Sequence, residues 1–354
     1  VVFYHGAADG LSTGIFCREL SQAYNAFKVK QEPQWRDLSI TYSDWAQWQR
    51  DTIHSELSSL LERARKRLAN VPEQLSLPTD YPRTEGRSRE AGYVAIHFDP
   101  DITNSLTKLA GAHRTSLFAV LLTLYGITLS RLSLQESVAI GFPMSSRDHL
   151  ETENLIGIFL NLLVIPICVS RGETVGEILG SVRDELEQVL SDQQLPFEKL
   201  VDELVRDRTI DSTPIFQTMF SFQILEGNND LELDNLIVES ESFELAQAKY
   251  DLSLYLAKTP EGALTGTFEF DASLFLHEHV QGWVRTFENI VRTATDSPEF
   301  VLASLSSHSS SLNSALQSTP VAKSQPVFAE RRLSDLFERH VVLTPNARAI
   351  FYKD

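Results

Sequence analysis

The sequence predicts an α/β sandwich built on a mixed β-sheet. Three observations predict it. Apolar residues follow two periods along the chain, alternating in some segments and recurring every third or fourth position in others. Strand-like and helix-like segments succeed one another in mixed order. The chain has 354 residues, 42% hydrophobic and 22% charged, enough for two domains or one large two-lobed body of ordinary globular composition.

The elements follow in order. Residues 1–4 read as a buried strand, and the chain opens without methionine on "VVFYHG". The expectation is a fragment of a longer polypeptide, with part of a fold missing. After Gly10, Ile15, Phe16, Leu20, Ala23, Tyr24 and Phe27 have helical spacing, with Ser12 as N-cap. Residues 42–69 read as a helix with aromatic anchors. The stretch 71–89 holds three prolines and many charges, which places an inter-lobe connector at 76–92.

A second body spans 93–304. It opens with a strand at 93–98, a helix at 101–113, a core helix at 116–130 and a strand at 137–142. A long buried strand follows at 155–169, then a helix at 173–194. Pro196 and Phe197 shape a turn before another helix. Strands recur near 215–223, 235–244, 250–257 and 263–270, and a helix closes at 273–294. Residues 305–332 form a Ser-rich linker without a periodic apolar face. Residues 333–354 regain a helix pattern and a short strand, as the first elements of a further domain would.

Net charge is −17, from 48 acids against 31 bases, which argues against nucleic acid or an anionic membrane as partner. The one basic cluster, Arg63, Arg65, Lys66 and Arg67, reads as a solvated helix face. The two cysteines, Cys17 and Cys168, lie in apolar runs and read as buried reduced thiols of a cytoplasmic protein. The longest apolar stretches, 117–129 and 155–169, are shorter than the ~20 residues of a membrane helix. The sequence has no Gly-rich phosphate loop, paired CxxC, HExxH or GxSxG motif.

The chemistry concentrates in "YHGAADGLS", residues 4–12, a strand-to-helix turn. His5 and Asp9 are spaced as a metal pair would be on a helix, but Gly6 and Gly10 interrupt one and no third ligand lies nearby. No metal is expected. The plain alternative is a histidine satisfied within a core turn. Three details favour chemistry. Gly6, Ala7 and Ala8 leave room for a substrate channel. Gly10 lets its N–H approach a reacting centre closely. The helix N-terminus carries partial positive charge, suited to an oxyanion. A neutral imidazole of pKa near ~6.5 accepts a proton from an attacking amine. His5 and Gly10 are therefore the candidate catalytic groups, for acyl transfer to a nucleophile.

A buried Asp9 requires a cation, and Arg147 in "GFPMSSRDH" is the candidate. The alternative is that Asp9 only caps the turn. His277 and His279 fall on different sides of a helix start and make no metal pair. Trp35, Trp45, Trp48 and Trp283 read as packing anchors.

"YHGAADG" resembles the HHxxxDG signature of nonribosomal peptide synthetase condensation domains. "YSDWAQWQR" (42–50) is similar to their YxDFAxWxR block, and "LPTDYPR" (77–83) to LPTDRPR. "IGFPMSSR" and "LIGIFLNLLVI" resemble the blocks around IGxFVNTL. "DQQLPFEKLV" (192–201) resembles HQDxPFExLV, "RDRTIDSTPIFQTMFSFQ" (206–223) resembles RDxSxxPLFQVxF, and "KYDLSLYL" (249–256) is like the family's K-F/Y-D-L-x-L strand. Order and rough spacing agree over about 300 residues. The tail "LSDLFERHVVLTPNARAIFYKD" resembles the start of an adenylation domain.

The resemblance implies two chloramphenicol-acetyltransferase-like lobes in a V, with the active site in a tunnel between them. Residues 1–75 would then be the C-terminal part of a truncated first lobe, which leaves apolar surface exposed. Residues 93–304 would be the second lobe and 333–354 a truncated adenylation domain. It also implies amide formation between a donor acyl or peptidyl thioester and the α-amine of an acceptor aminoacyl thioester. Both substrates ride on phosphopantetheine arms of upstream and downstream peptidyl carrier domains. No cofactor is bound by this chain itself, and no carrier-type GGxS motif is present.

The second motif histidine falls on His5, for which three roles stand: general base, amine positioning, and stabilisation of the tetrahedral intermediate. Asp9 takes the structural ion pair, and Gly10 assists the oxyanion. The first motif histidine is replaced by Tyr4, which is expected to pack into the lobe, and the usual aromatic after Asp-Gly is Leu11. Asn161 and Gln217 are possible tunnel contacts. The alternatives within the fold are a noncatalytic carrier-docking domain, and an epimerising or starter N-acylating variant.

Overall fold

Segments with an alternating pattern line up as one mixed sheet in the computed structural model, which describes residues 3–84, 86–170, 172–205, 213–225, 231–238 and 246–297. The helices are α1 (Gly10–Lys28), α2 (Tyr42–Leu68), α3 (Pro100–Ala112), α4 (Leu117–Ser133), α5 (Val175–Ser191), α6 (Phe197–Leu204) and α7 (His277–Asp296). The strands are β1 (Ala91–Phe98), β2 (Ser137–Ser145), β3 (Leu160–Cys168), β4 (Thr218–Ile224), β5 (Leu252–Lys258) and β6 (Leu264–Asp271), ordered β1-β6-β5-β4-β2-β3. β4 runs parallel to β2 and β5, and the other pairs are antiparallel. The linker at 305–332 and the segment 333–354 lie outside the described residues.

Side chains alternate across the sheet, which makes two cores. Val138, Ile140, Phe142, Ile165, Phe220, Leu254 and Phe268 share one face and pack with α3, α4, α5 and α7. α4 is apolar nearly all round, so it is buried nearly all round. On the opposite face, Ala139 and Val164 meet Leu60 and Ala64 of α2 and Leu200 of α6. A third, small cluster joins Trp45, Leu155 and Phe159. Among the described residues no single helix is long and apolar enough to cross a membrane.

Residues 76–84 and 86–90 form no helix and are pinned by charge. Asp80 Oδ2 accepts from Leu276 N at 2.7 Å. Arg83 pairs with Asp251 at 2.5 Å, and Arg87 with Asp271 at 2.9 Å. Asp251 and Asp271 are both buried, and a buried carboxylate without such partners is costly.

Several expectations are corrected. Phe3 and Tyr4 form no strand and are exposed, and neither pairs with any of the six strands of the sheet. The N-cap of α1 is Asp9, whose side chain accepts from Ser12 N. The strand expected at 155–169 begins only at Leu160, because Gly157 and Phe159 bond to the turn before α1 instead. Residues 235–238 are not a strand. Their neighbours Glu232 and Asp234 give their N–H groups to Ser21 and Asn25 of α1, and the rest of that expected strand lies outside the described residues.

The cysteines are not buried. Cys17 is half-buried and Cys168, ending the edge strand β3, is exposed. The basic cluster is only partly solvated. Arg63 and Arg67 both reach the buried Asp192, Arg65 pairs with Glu203 and Glu62, and Lys66 with Glu62. Trp45 and Trp283 are buried anchors, whereas Trp35 and Trp48 are exposed. Trp48 stacks edge-on against His149.

Candidate active site at the amino end of α1

Asp9 organises the turn. As N-cap of α1 its Oδ1 accepts from Ser12 N and lies 2.8 Å from Ser12 Oγ. Its Oδ2 accepts from Phe159 N at 3.0 Å, and its own N–H donates to Gly157 O at 3.2 Å. Arg147, just after β2, places Nη2 3.1 Å from Asp9 Oδ1 and 3.0 Å from Ser12 Oγ. Arg147 Nη1 donates to the carbonyls of Thr152 and Leu155, and the guanidinium lies 4.0 Å over the Phe159 ring.

The electrostatics follow from this. Burial alone would raise the pKa of Asp9. The hydrogen bonds from Phe159 and Ser12, and then the charge of Arg147, outweigh it and hold the carboxyl below its ordinary value. Nearby Tyr42 is pushed up, by burial first and by the Asp9 charge second.

His5 stands on the exposed turn before this anchor. Its Nδ1 lies 3.2 Å from Ala8 O. A carbonyl oxygen only accepts, so this bond requires the proton on Nδ1. In the neutral ring, Nε2 then carries a free lone pair, available to take a proton. Gly10 opens α1, where the first N–H groups have no intrahelical acceptor, and nothing lies within 4 Å of where its Cβ would be. The turn thus presents a proton acceptor and helix-end N–H groups on a frame fixed by Asp9 and Arg147.

The sequence-derived candidates divide as follows. Asp9 and Arg147 are in contact, and His5 and Gly10 flank them on the same turn. Tyr4 does not pack inward: it is 83% exposed, its ring lying over Gly6. Asn161 instead donates to the carbonyls of Gln193 and Leu195, and Gln217 accepts from Leu75 N and donates to Thr213 O. Both amides are consumed in holding loops. His279 bonds Asp80, and His277 lies beside Gln281. Among the described residues no group of His, Cys, Asp or Glu is arranged to hold a metal ion.

Sequence reasoning missed three participants. Ser12, read as a cap, is a hub touching Asp9, Arg147 and Gly157. Tyr42 donates to Ile158 O at 2.9 Å. Gly157 lends both its N–H and its carbonyl to the turn. Tyr42 and Gly157 lie in the blocks "YSDWAQWQR" and "LIGIFLNLLVI", so a positional signal existed, but their contacts cross more than a hundred positions and had none.

The chain matches the family model described as "Condensation domain" over residues 1–316. It is 35% identical over 352 residues to malpinin synthetase of Mortierella alpina, covering 99% of this chain and 4% of that protein. It is 35% identical over 291 residues to a linear gramicidin synthase of Brevibacillus parabrevis, covering 82% of this chain and 6% of the relative. Its fold is similar to the crystal structure of the X-domain from teicoplanin biosynthesis, with a TM-score of 0.78 and 21% identity over 85% of this chain and 69% of that one. The chain spans a small fraction of the length of these synthetases. It is a member of the condensation-domain family of the nonribosomal peptide synthetases.

Proposed function

We propose that this chain forms an amide bond between a donor acyl or peptidyl thioester and the α-amine of an acceptor aminoacyl thioester, both delivered by carrier domains. The observation that carries the reading is the His5 turn, with Nδ1 engaged by Ala8 O beside a helix end anchored by Asp9 and Arg147. Condensation domains of nonribosomal peptide synthetases form amide bonds, and the family match supports the same reaction here.

The amine nitrogen attacks the donor carbonyl carbon and forms the C–N bond. The carbonyl oxygen becomes an oxyanion, which the N–H groups opening α1 at Gly10 stabilise. His5 Nε2 takes the ammonium proton. The C–S bond then breaks, the thiolate of the donor arm leaves, and it recovers a proton from the imidazolium. The peptide ends on the acceptor arm. Asp9 and Arg147 touch no reacting atom in this scheme and keep the turn in place. The relevant partners are an upstream and a downstream peptidyl carrier domain, with an adenylation domain beginning near residue 333. The malpinin synthetase match, at 352 residues, runs past residue 316, where the family model ends, so the similarity extends beyond the condensation domain.

The test supplies donor- and acceptor-loaded carriers to the full chain and follows dipeptidyl thioester by mass spectrometry. Product from the wild type and its loss in His5→Ala support the reading. Product undiminished in His5→Ala sinks the assignment of His5.

One observation favours a second reading, a noncatalytic domain that docks carriers: Tyr4 stands where the family's first histidine would be, and it is exposed. Carrier binding with no product in the wild type would select it.

A further inference from the structure

We infer that Tyr42 is a positioning residue for the His5 turn, acting through the strap 157–159; this rests on the amide-forming reading above. The strap is held from three sides. From α1, Asp9 N donates to Gly157 O and Asp9 Oδ2 accepts from Phe159 N. From the residue just after β2, Ser146 N donates to Phe159 O at 2.6 Å. From α2, Tyr42 Oη donates to the remaining carbonyl, that of Ile158, at 2.9 Å.

The Tyr42 ring is itself fixed. It is the first residue of α2, directly after the N-cap Thr41, whose side chain and that of Asp44 form a reciprocal capping box. The ring stands perpendicular to Phe159, with centroids 5.2 Å apart. It also fills the space a side chain at Gly157 would need: a Cβ there would collide with Tyr42 Cδ2. Burial and the Asp9 charge keep the phenol protonated, so it remains a donor.

Freeing the Ile158 carbonyl lets the strap shift, and Asp9 N shifts with Gly157 O. Ala8 is joined directly to Asp9, and its carbonyl orients His5 Nδ1. A hydroxyl on α2 thus reaches the imidazole through three hydrogen bonds, Tyr42 to Ile158 O, Asp9 N to Gly157 O and His5 to Ala8 O, joined by the backbone between them. Small displacements of a reacting group cost rate steeply, so the effect belongs in turnover rather than in binding.

The test uses the full chain with Tyr42→Phe, which keeps the ring and its packing. The expected result is kcat about tenfold lower, with KM for the acceptor carrier unchanged. The 15N signals of His5 should move toward mixed tautomers, and amide exchange at Phe159 should quicken. Gly157→Ala, which pushes a methyl into the ring, should move the same readouts in the same direction. Wild-type kcat with unaltered His5 nitrogen shifts in Tyr42→Phe overturns the inference, as does a loss of thermal stability with those shifts unchanged. If the wild type itself makes no dipeptide, the amide-forming reading fails, and the His5 and Phe159 signals still decide the role of Tyr42.

Discussion

Arg147 reaches Asp9 across 138 positions of the chain, Nη2 3.1 Å from Oδ1, with both side chains buried. This contact ties the amino end of α1 to the end of β2. Breaking a buried, hydrogen-bonded ion pair by removing one partner strands the other charge and costs about 3–5 kcal/mol. Arg147→Met should therefore lower the unfolding free energy by about 3 kcal/mol, read by urea denaturation. Asp9→Ala should lower soluble yield as well, because it removes the cap and the acceptor of Phe159 N together. A change under about 1 kcal/mol in both would mean the pair is dispensable.

The pH dependence has a definite sign. Asp9 is held below its ordinary value in the fold, so its stabilisation is present above the unfolded carboxyl pKa of about 4. That contribution is lost as pH falls through the lower folded value. Asp9→Asn should flatten the acid side of the stability curve below about pH 4 and leave its shape above about pH 6 unchanged. Denaturation midpoints at stepped pH provide the comparison.

Asp192 separates a strong pair from a weak one within a single cluster. Its carboxylate meets Arg67 at 3.0 Å and Arg63 at 2.7 Å, but the Arg67 side chain is 9% exposed and that of Arg63 is 49% exposed. Solvent screens the exposed partner, so distance alone misleads. Arg63→Ala should cost no more than about 1 kcal/mol, and Arg67→Ala about 3 kcal/mol. Equal losses in the two variants would contradict this division.

Glu269 carries the opposite sign from Asp9. It is buried on β6, with Tyr93 Oη 3.4 Å from Oε2 and no partner for Oε1 among the described residues. Burial raises its pKa, against weaker lowering by Tyr93 and Lys249. Its contribution is full below the unfolded value of about 4.3 and lost as pH rises through the raised folded value. Glu269→Gln should therefore raise the melting temperature at about pH 8 and leave it unchanged at about pH 4. A lower melting temperature on the alkaline side would show that the ionised form is welcome there.

Much of the second body was legible because its signals are local. The alternation in "YVAIHF" and "SVAIGF" marks β1 and β2, and the largely apolar run at 117–129 marks α4. The segments that failed lack a local cause. Gly157 and Phe159 continue the apolar pattern of a strand, yet their backbone groups are claimed by Asp9. Residues 235–238 also look strand-like, but the chain leading into them is bound to the side chains of α1. Arg67 reads as one cation among four in a solvated run, and only the fold sets Asp192 beneath it.

By itself, the sequence determined the periods of its helices and strands, its membership of a family, and the residue types of the His5 turn, because each is written in neighbours along the chain. Tertiary structure alone decided which charges are buried and which backbone groups a strand surrenders. It also decided that a phenol on α2 sits next to the strap supporting His5. Those outcomes depend on distances between residues far apart in sequence, and solvent exclusion, which sets the strength of each pair, exists only once the layers have packed.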